Sequence, residues 1–375
     1  VKTNLISGFR NLIFILISGL GGFVLSLTGL SIGWMIGTLI TAGVLSFLNL
    51  KPVTYLLHEK GLTGYWLKAG QLLLGIQIGQ EISISVLGVL NHGWLSISIM
   101  ILISILLSLG SGWLLYHFSK TDLITSLYGT TPGGLSSMLG IATDVGANMA
   151  VVSIIQTMRV ILVECTIPLI VSIWSSGNTA GSAANTSQAV NDLSPATAIG
   201  LLLIIGVALL GAVIGKMIHL PAPWLIGSML SIGLVQALSS LILARNLSVW
   251  WPHDLIIVAQ VMLGACVGSR MNRDMFNGVV RTIAVGLFGT LGLMAAMFFC
   301  ALVVSWLSGI DPITSILAFA PGGIDVMAVT AVVLHADATF VVAVQVIRVL
   351  AICILLPPLF TIMNRHQQNV GESHP

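Results

Sequence analysis

The sequence predicts an all-α polytopic membrane protein of about 10–12 transmembrane segments, in two homologous, inverted repeats that each carry a Pro-Gly-Gly-broken helix. Three observations carry that prediction. First, hydrophobic residues make up 56% of the 375, charged residues 7%, and the mean hydropathy is +1.05. That balance leaves too little polar surface to cover a soluble domain. Second, Asp122, Thr125, Ser126, Pro132, Gly133, Gly134, Gln156, Arg159 and Pro168 all recur at a constant shift of 189, which carries Pro132 onto Pro321 and Arg159 onto Arg348. Nine polar or helix-breaking identities in one register, set in an apolar background, mark a duplication. Third, Lys and Arg collect on one side only if the second copy is turned over. With twelve simple crossings, eight basic loop residues fall inside and four outside; with an even number of crossings at each Pro-Gly-Gly segment, eleven fall inside and Arg245 alone outside. The positive-inside rule favours the second arrangement.

Apolar runs of about 20 residues, the length a bilayer requires, fall at about 11–29, 30–50, 65–90, 93–118, 122–143, 148–174, 196–218, 222–244, 253–271, 277–308, 312–335 and 338–363. Lys2 and Arg10 precede the first run, which continues directly into the second; this reads as a retained first helix rather than a cleaved signal peptide. Gly29 to Leu45 then resembles Leu220 to Gln236, with Trp34 and Trp224, 190 apart, each before a shared Ile-Gly step. Gln71 to Gly79 answers Gln260 to Gly268 at 189 again. These glutamines either line a cavity or bond between helices. Ser175 to Asn191 is rich in Ser, Asn, Thr, Ala and Gly and lacks Lys and Arg, as an external linker should. The expected organisation is a first membrane repeat over 1–174, a polar linker over 175–195 and a second membrane repeat over 196–375.

The repeated break carries the functional expectation. Proline inside a helix removes a backbone hydrogen bond and clashes with the preceding turn, and two glycines expose peptide groups. Hydrocarbon cannot satisfy those groups, so such backbone persists only beside protein or a water-filled cavity. Matched breaks in corresponding positions of two halves point to a transporter's substrate site, where freed N–H groups and helix dipoles favour an anion. A plain packing kink is the competing reading. The candidate substrate-binding residues are Gly133, Gly134, Ser136, Gln156 and Arg159 in the first copy, and Gly322, Gly323, Asp325, Gln345 and Arg348 in the second.

Gln156 and Arg159, like Gln345 and Arg348, are three apart and share one helix face. An arginine at the centre of a membrane helix costs about 2.5–3.5 kcal/mol on insertion scales, so both must face protein or water. They either clamp an anionic group or pin the break by ion pairing, Arg348 with Asp325 and Arg159 with Glu164 or Asp144. The mismatches between copies redistribute acid: Ser136 becomes Asp325, Asn148 becomes Asp337, Asp144 becomes Val333 and Glu164 becomes Cys353. Asp325, beside unwound backbone, is the candidate ion-coupling group. Asp337 reads as a loop residue at a membrane edge, and Asp122 and Asp311 as helix N-caps.

The eight histidines are scattered, the four cysteines stand alone in apolar segments, and no ATP, dinucleotide or serine-hydrolase fingerprint occurs. No metal ligand, catalytic residue or cofactor is therefore assigned. The expected partners are the lipid bilayer and a small-molecule or ion substrate, with no nucleic acid; a homo-oligomer is compatible with the sequence.

The paired Thr131–Gly134 and Ala320–Gly323 segments, each followed by Q-x-x-R and preceded far upstream by W-x-I-G, resemble the AbrB family of bacterial inner-membrane proteins. The resemblance covers both halves, and it is to a family distinct from the small soluble DNA-binding regulator of the same name. It implies a duplicated multi-pass protein of the bacterial inner membrane. Family labels include ammonia monooxygenase, regulator of gene expression and transporter. A secondary transporter is the expected function, with a membrane regulator or a membrane monooxygenase as alternatives; the lack of clustered metal ligands in the sequence weighs against the last.

Overall fold

The computed structural model describes residues 2–30, 32–48, 62–82, 85–119, 121–132, 147–178, 195–243, 251–252, 254–271, 280–352 and 355. Within them lie thirteen helices and no strand. They are α1 (Lys2–Ser26), α2 (Gly33–Leu48), α3 (Gly64–Glu81), α4 (Ser85–Ser119), α5 (Leu123–Thr130), α6 (Met149–Asn178), α7 (Pro195–Met217), α8 (Pro223–Leu243), α9 (Asp254–Gly268), α10 (Val280–Ser308), α11 (Pro312–Phe319), α12 (Ile324–Val333) and α13 (Ala338–Ile352). The linker expected over 175–195, the first-copy residues Gly133, Gly134, Ser136 and Asp144, and the chain beyond 355 fall wholly or largely outside the described residues.

Five segments, in α1, α4, α6, α7 and α10, are long and apolar enough to cross a membrane, and the chain is a multi-pass membrane-type protein. In α2 and α9 the described residues number 16 and 15, and residues 49–61 and 253, which adjoin them, lie outside the described residues. The expected run over 312–335 is two helices, α11 and α12, separated by nonhelical residues 320–323. Proline and two glycines end the first helix there, because Pro321 cannot donate back into it.

The chain folds as two compact units, each drawing on both sequence halves. The first comprises Val1–Gly93, Glu164–Arg273 and Ile324–Val342; the second comprises Trp94–Val163, Asp274–Gly323 and Ala343–Pro375.

In the first unit, helices cross at glycines because only a missing Cβ lets backbones approach this closely. α1 packs on α2 through Gly21 and Gly37, and α7 packs on α8 through Gly211 and Gly227, the same pair displaced by 190. Gly37 and Gly227 are the glycines of the two W-x-I-G steps. The next layer is reciprocal. A Cβ on Gly75 of α3 would sit 2.6 Å from the carbonyl of Leu225 in α8, and one on Gly264 of α9 would sit 2.6 Å from the carbonyl of Met35 in α2. Each half's third helix therefore docks on the other half's second helix, and the isologous exchange is the signature of a twofold relation. Outer faces match as well: Leu20 is 64% exposed and Leu210 is 66% exposed. Unbroken apolar exposure of that kind suits contact with lipid tails.

The second unit contains most of α4, the first half of α6, α5, α10, α11, residues 320–323 and most of α13. It holds both short helices that end at a Pro-Gly-Gly step and both Q-x-x-R motifs.

Candidate functional site

The site begins with two eight-residue helices, α5 and α11, built to the same pattern. Asp122 caps the first by accepting the Thr125 N–H at 2.9 Å, and Asp311 caps the second by accepting the Thr314 N–H at 2.9 Å. Both aspartates are the N-caps that their place before an apolar run predicts, each satisfying an orphan amide donor. Each helix closes alike, with the Thr131 N–H donating to Leu127 and the Ala320 N–H donating to Ile316. Proline follows at once. The last carbonyls of α11 thus have no continuing helix to donate to them, those of α5 meet Pro132, which has no N–H to give, and both ends concentrate the negative end of the helix dipole.

Glutamine and arginine from the neighbouring long helices supply the missing donors. In the first copy, Gln156 Nε2 donates to the Tyr128 carbonyl at 2.7 Å, and Arg159 Nη1 donates to the Thr130 carbonyl at 2.8 Å. In the second, Gln345 Nε2 donates to Leu317 at 2.9 Å and Ala320 at 3.1 Å, while Arg348 Nη1 donates to Phe319 at 3.3 Å and Ala320 at 2.6 Å. Tyr128 and Leu317, like Thr130 and Phe319, are related by the shift of 189. A three-residue spacing puts both donors on one helix face, so one face clasps one cut end. All four side chains are buried, Arg159 at 5% exposure and Arg348 at 2%.

Among the described residues the second-copy arginine has more acceptors than the first, and Gly133, the mate of Gly322, lies outside them. Arg348 Nη2 also reaches the Gly322 carbonyl at 3.5 Å and the Gln345 Oε1, so four acceptors surround it. Arg159 has the Thr130 carbonyl. Both Nε atoms are buried without a hydrogen-bond partner. Among the described residues no hydrogen bond joins either guanidinium to a carboxylate. Among the described residues the second unit therefore buries two arginines whose hydrogen-bond acceptors are neutral carbonyls.

The sequence offered ion pairing as one explanation for the arginines; among the described residues the hydrogen-bond acceptors found for both include helix-end carbonyls, and Asp144, one partner considered for Arg159, lies outside those residues. Asp325 stands in the first turn of α12, where the helix dipole favours a carboxylate. Within the first unit its Oδ2 accepts from Gln71 Nε2 at 3.2 Å. Gln71 and its repeat mate Gln260 are both buried, and Gln260 Oε1 has no partner. Asp337, expected as a loop residue, is the N-cap of α13, accepting the Phe340 N–H at 2.9 Å; Asn148 accepts the Val151 N–H at the equivalent place in α6. Among the described residues no three His, Cys, Asp or Glu side chains gather to hold a metal ion.

One feature of the second unit has no counterpart in the sequence reading. Ile155, Met158, Arg159 and Leu162 of α6 line a small cavity with Ile283, Gly286, Leu287 and Thr290 of α10. Both sets follow the spacing i, i+3, i+4, i+7, one face of each helix. Its accessible volume is about 10 Å³, enough for one water-sized occupant. No motif flags α10; Gly286 and Thr290 differ from Ile97 and Ile101 at the corresponding positions of the first copy.

The chain matches the family model described as "Transition state regulatory protein AbrB" over residues 34–364. It is 48% identical over 358 residues to a Bacillus subtilis (strain 168) protein named "Uncharacterized protein YhjN", covering 95% of this chain and 93% of that one. It is 28% identical over 294 residues to an Escherichia coli (strain K12) protein named "Putative regulator AbrB", covering 78% and 80% respectively.

Proposed function

The chain belongs to the AbrB family, and from that premise we propose that it is a secondary transporter of a small anionic solute, bound where two broken helices carry buried arginines. The observation that carries the proposal is the repeated clasp, in which Gln156 with Arg159 and Gln345 with Arg348 satisfy the cut ends of α5 and α11. A helix interrupted merely to kink needs no arginine, and burying one is costly. An arginine that repairs a break makes nonhelical backbone durable at membrane depth, as a binding site on discontinuous helices requires. Two buried arginines with no carboxylate hydrogen-bonded to them among the described residues favour a negatively charged visitor.

In this reading Gly133, Gly134 and Ser136 of the first break, with Gly322 and Gly323 of the second, offer backbone to the solute. Asp325, hydrogen-bonded to Gln71, is the coupling group that takes up a proton or cation. The setting is the bacterial inner membrane. The test is uptake into proteoliposomes, using solutes first selected by thermal stabilisation of the purified protein. Wild type should accumulate a solute that Arg159→Ala, Arg348→Ala and Asp325→Asn each fail to accumulate; undiminished uptake in all three removes the site.

A second reading, a membrane regulator of gene expression, is favoured by the printed names of the family model and of the Escherichia coli relative. It predicts a regulatory output that survives loss of Arg348 when the protein remains folded.

A further inference from the structure

The two arginines occupy equivalent positions but unequal surroundings. Arg348 spends both terminal nitrogens on the Phe319, Ala320 and Gly322 carbonyls and on Gln345. Arg159 is anchored at Thr130; among the described residues both arginines keep a buried Nε–H without a hydrogen-bond partner, but it is Arg159 that lines the cavity between α6 and α10. The same shift of 189 that relates the arginines relates Gly286 of the cavity to Ile97, and Thr290 to Ile101, both buried. Space beside the first-copy arginine thus comes with small or short residues where the other copy has isoleucines.

The cavity wall decides what could enter. Apart from Arg159 it is apolar, because the Thr290 hydroxyl donates back to the Gly286 carbonyl at 2.8 Å and is spent there. A neutral occupant would leave the guanidinium charge uncompensated, and a cation would be repelled. A strongly hydrated or divalent anion would lose more hydration than one guanidinium edge and a hydrocarbon wall can return. A volume of about 10 Å³ holds a single water-sized body.

We propose that the cavity between α6 and α10 is a binding site for a small, weakly hydrated monovalent anion of about halide size, held by Arg159 Nε–H. Arg348 is then a positioning residue that holds the second break. This deepens the transporter reading and rests on it for the claim that the anion is the solute, though binding itself is independent of transport.

Bromide is the probe, because it scatters anomalously and can be located. Crystals of the full chain grown in bromide should show an anomalous peak within hydrogen-bond range of Arg159 Nε. In solution, bromide should stabilise the protein against heat relative to sulfate at matched ionic strength. Gly286→Ala keeps the arginine and fills the cavity; a Cβ there would lie 3.7 Å from Ile155 Cγ2, ordinary contact, so the variant should fold. It should weaken bromide binding at least tenfold, and Arg159→Lys should do the same. A cavity that holds water alone in bromide crystals, or bromide affinity unchanged in folded Gly286→Ala, overturns the site. Uptake of another solute by wild-type proteoliposomes with no bromide in the cavity would sink this inference and leave the transporter reading standing. Bromide bound in the cavity of a protein that moves nothing would do the reverse.

Discussion

The two units treat the duplication in opposite ways. In the first, the copies are interchangeable: Gly75 on Leu225 and Gly264 on Met35 make the same close approach, each reaching into the other half. In the second, the copies share targets, and among the described residues Arg348 is surrounded by four acceptors whereas Arg159 has one anchoring carbonyl and an adjoining cavity. A symmetric frame can carry an asymmetric site because backbone packing needs equal small residues at every crossing. Side-chain chemistry is free to diverge once the frame closes.

The sharpest way to break this contrast is to remove each arginine and measure stability in micelles by SDS titration. Arg348→Ala strips donors from three buried carbonyls and from Gln345, and should cost about 3 kcal/mol or more, since each unsatisfied buried acceptor costs about 1–3 kcal/mol. Arg159→Ala unpairs one carbonyl and should cost about 1–2 kcal/mol while destroying solute binding. Equal stability losses would abolish the division of labour.

Next in size are the reciprocal glycines. Gly75→Ala and Gly264→Ala each force a Cβ to 2.6 Å from a carbonyl, and each should cost about 1–3 kcal/mol. The sharpening point is that the two costs match. A large penalty at one crossing beside a negligible one at the other would show that the first unit is not symmetric in energy. The smallest effect belongs to the caps: Asp122→Ala and Asp311→Ala should each lose about 1 kcal/mol, read as paired drops in thermal midpoint.

Much of this was legible in the sequence. Composition determines the helical membrane class, and the shift of 189 locates both breaks, both caps and both Q-x-x-R pairs before any coordinate is known. What the arginines touch was not legible. A charged side chain in an apolar run advertises a need for a partner, and a nearby carboxylate is the partner a sequence can display. Backbone carbonyls at a cut helix end are invisible to it, since every residue has one. The cavity at Arg159 depends on an absent side chain at Gly286 in a helix with no motif, and only comparison of the copies brings it out.

The central claim is that Arg159 contacts the transported solute while Arg348 holds the second break. Proteoliposome flux of a solute that stabilises the wild type tests it most directly, using Arg159→Lys and Arg348→Lys, which keep the charge and lose the forked geometry. In preparations matched for folded protein, flux should fall at least tenfold in Arg159→Lys, whereas Arg348→Lys should retain most of its flux and show the lower unfolding midpoint. Full flux in folded Arg159→Lys, or no flux in the wild type for any stabilising solute, would contradict the account.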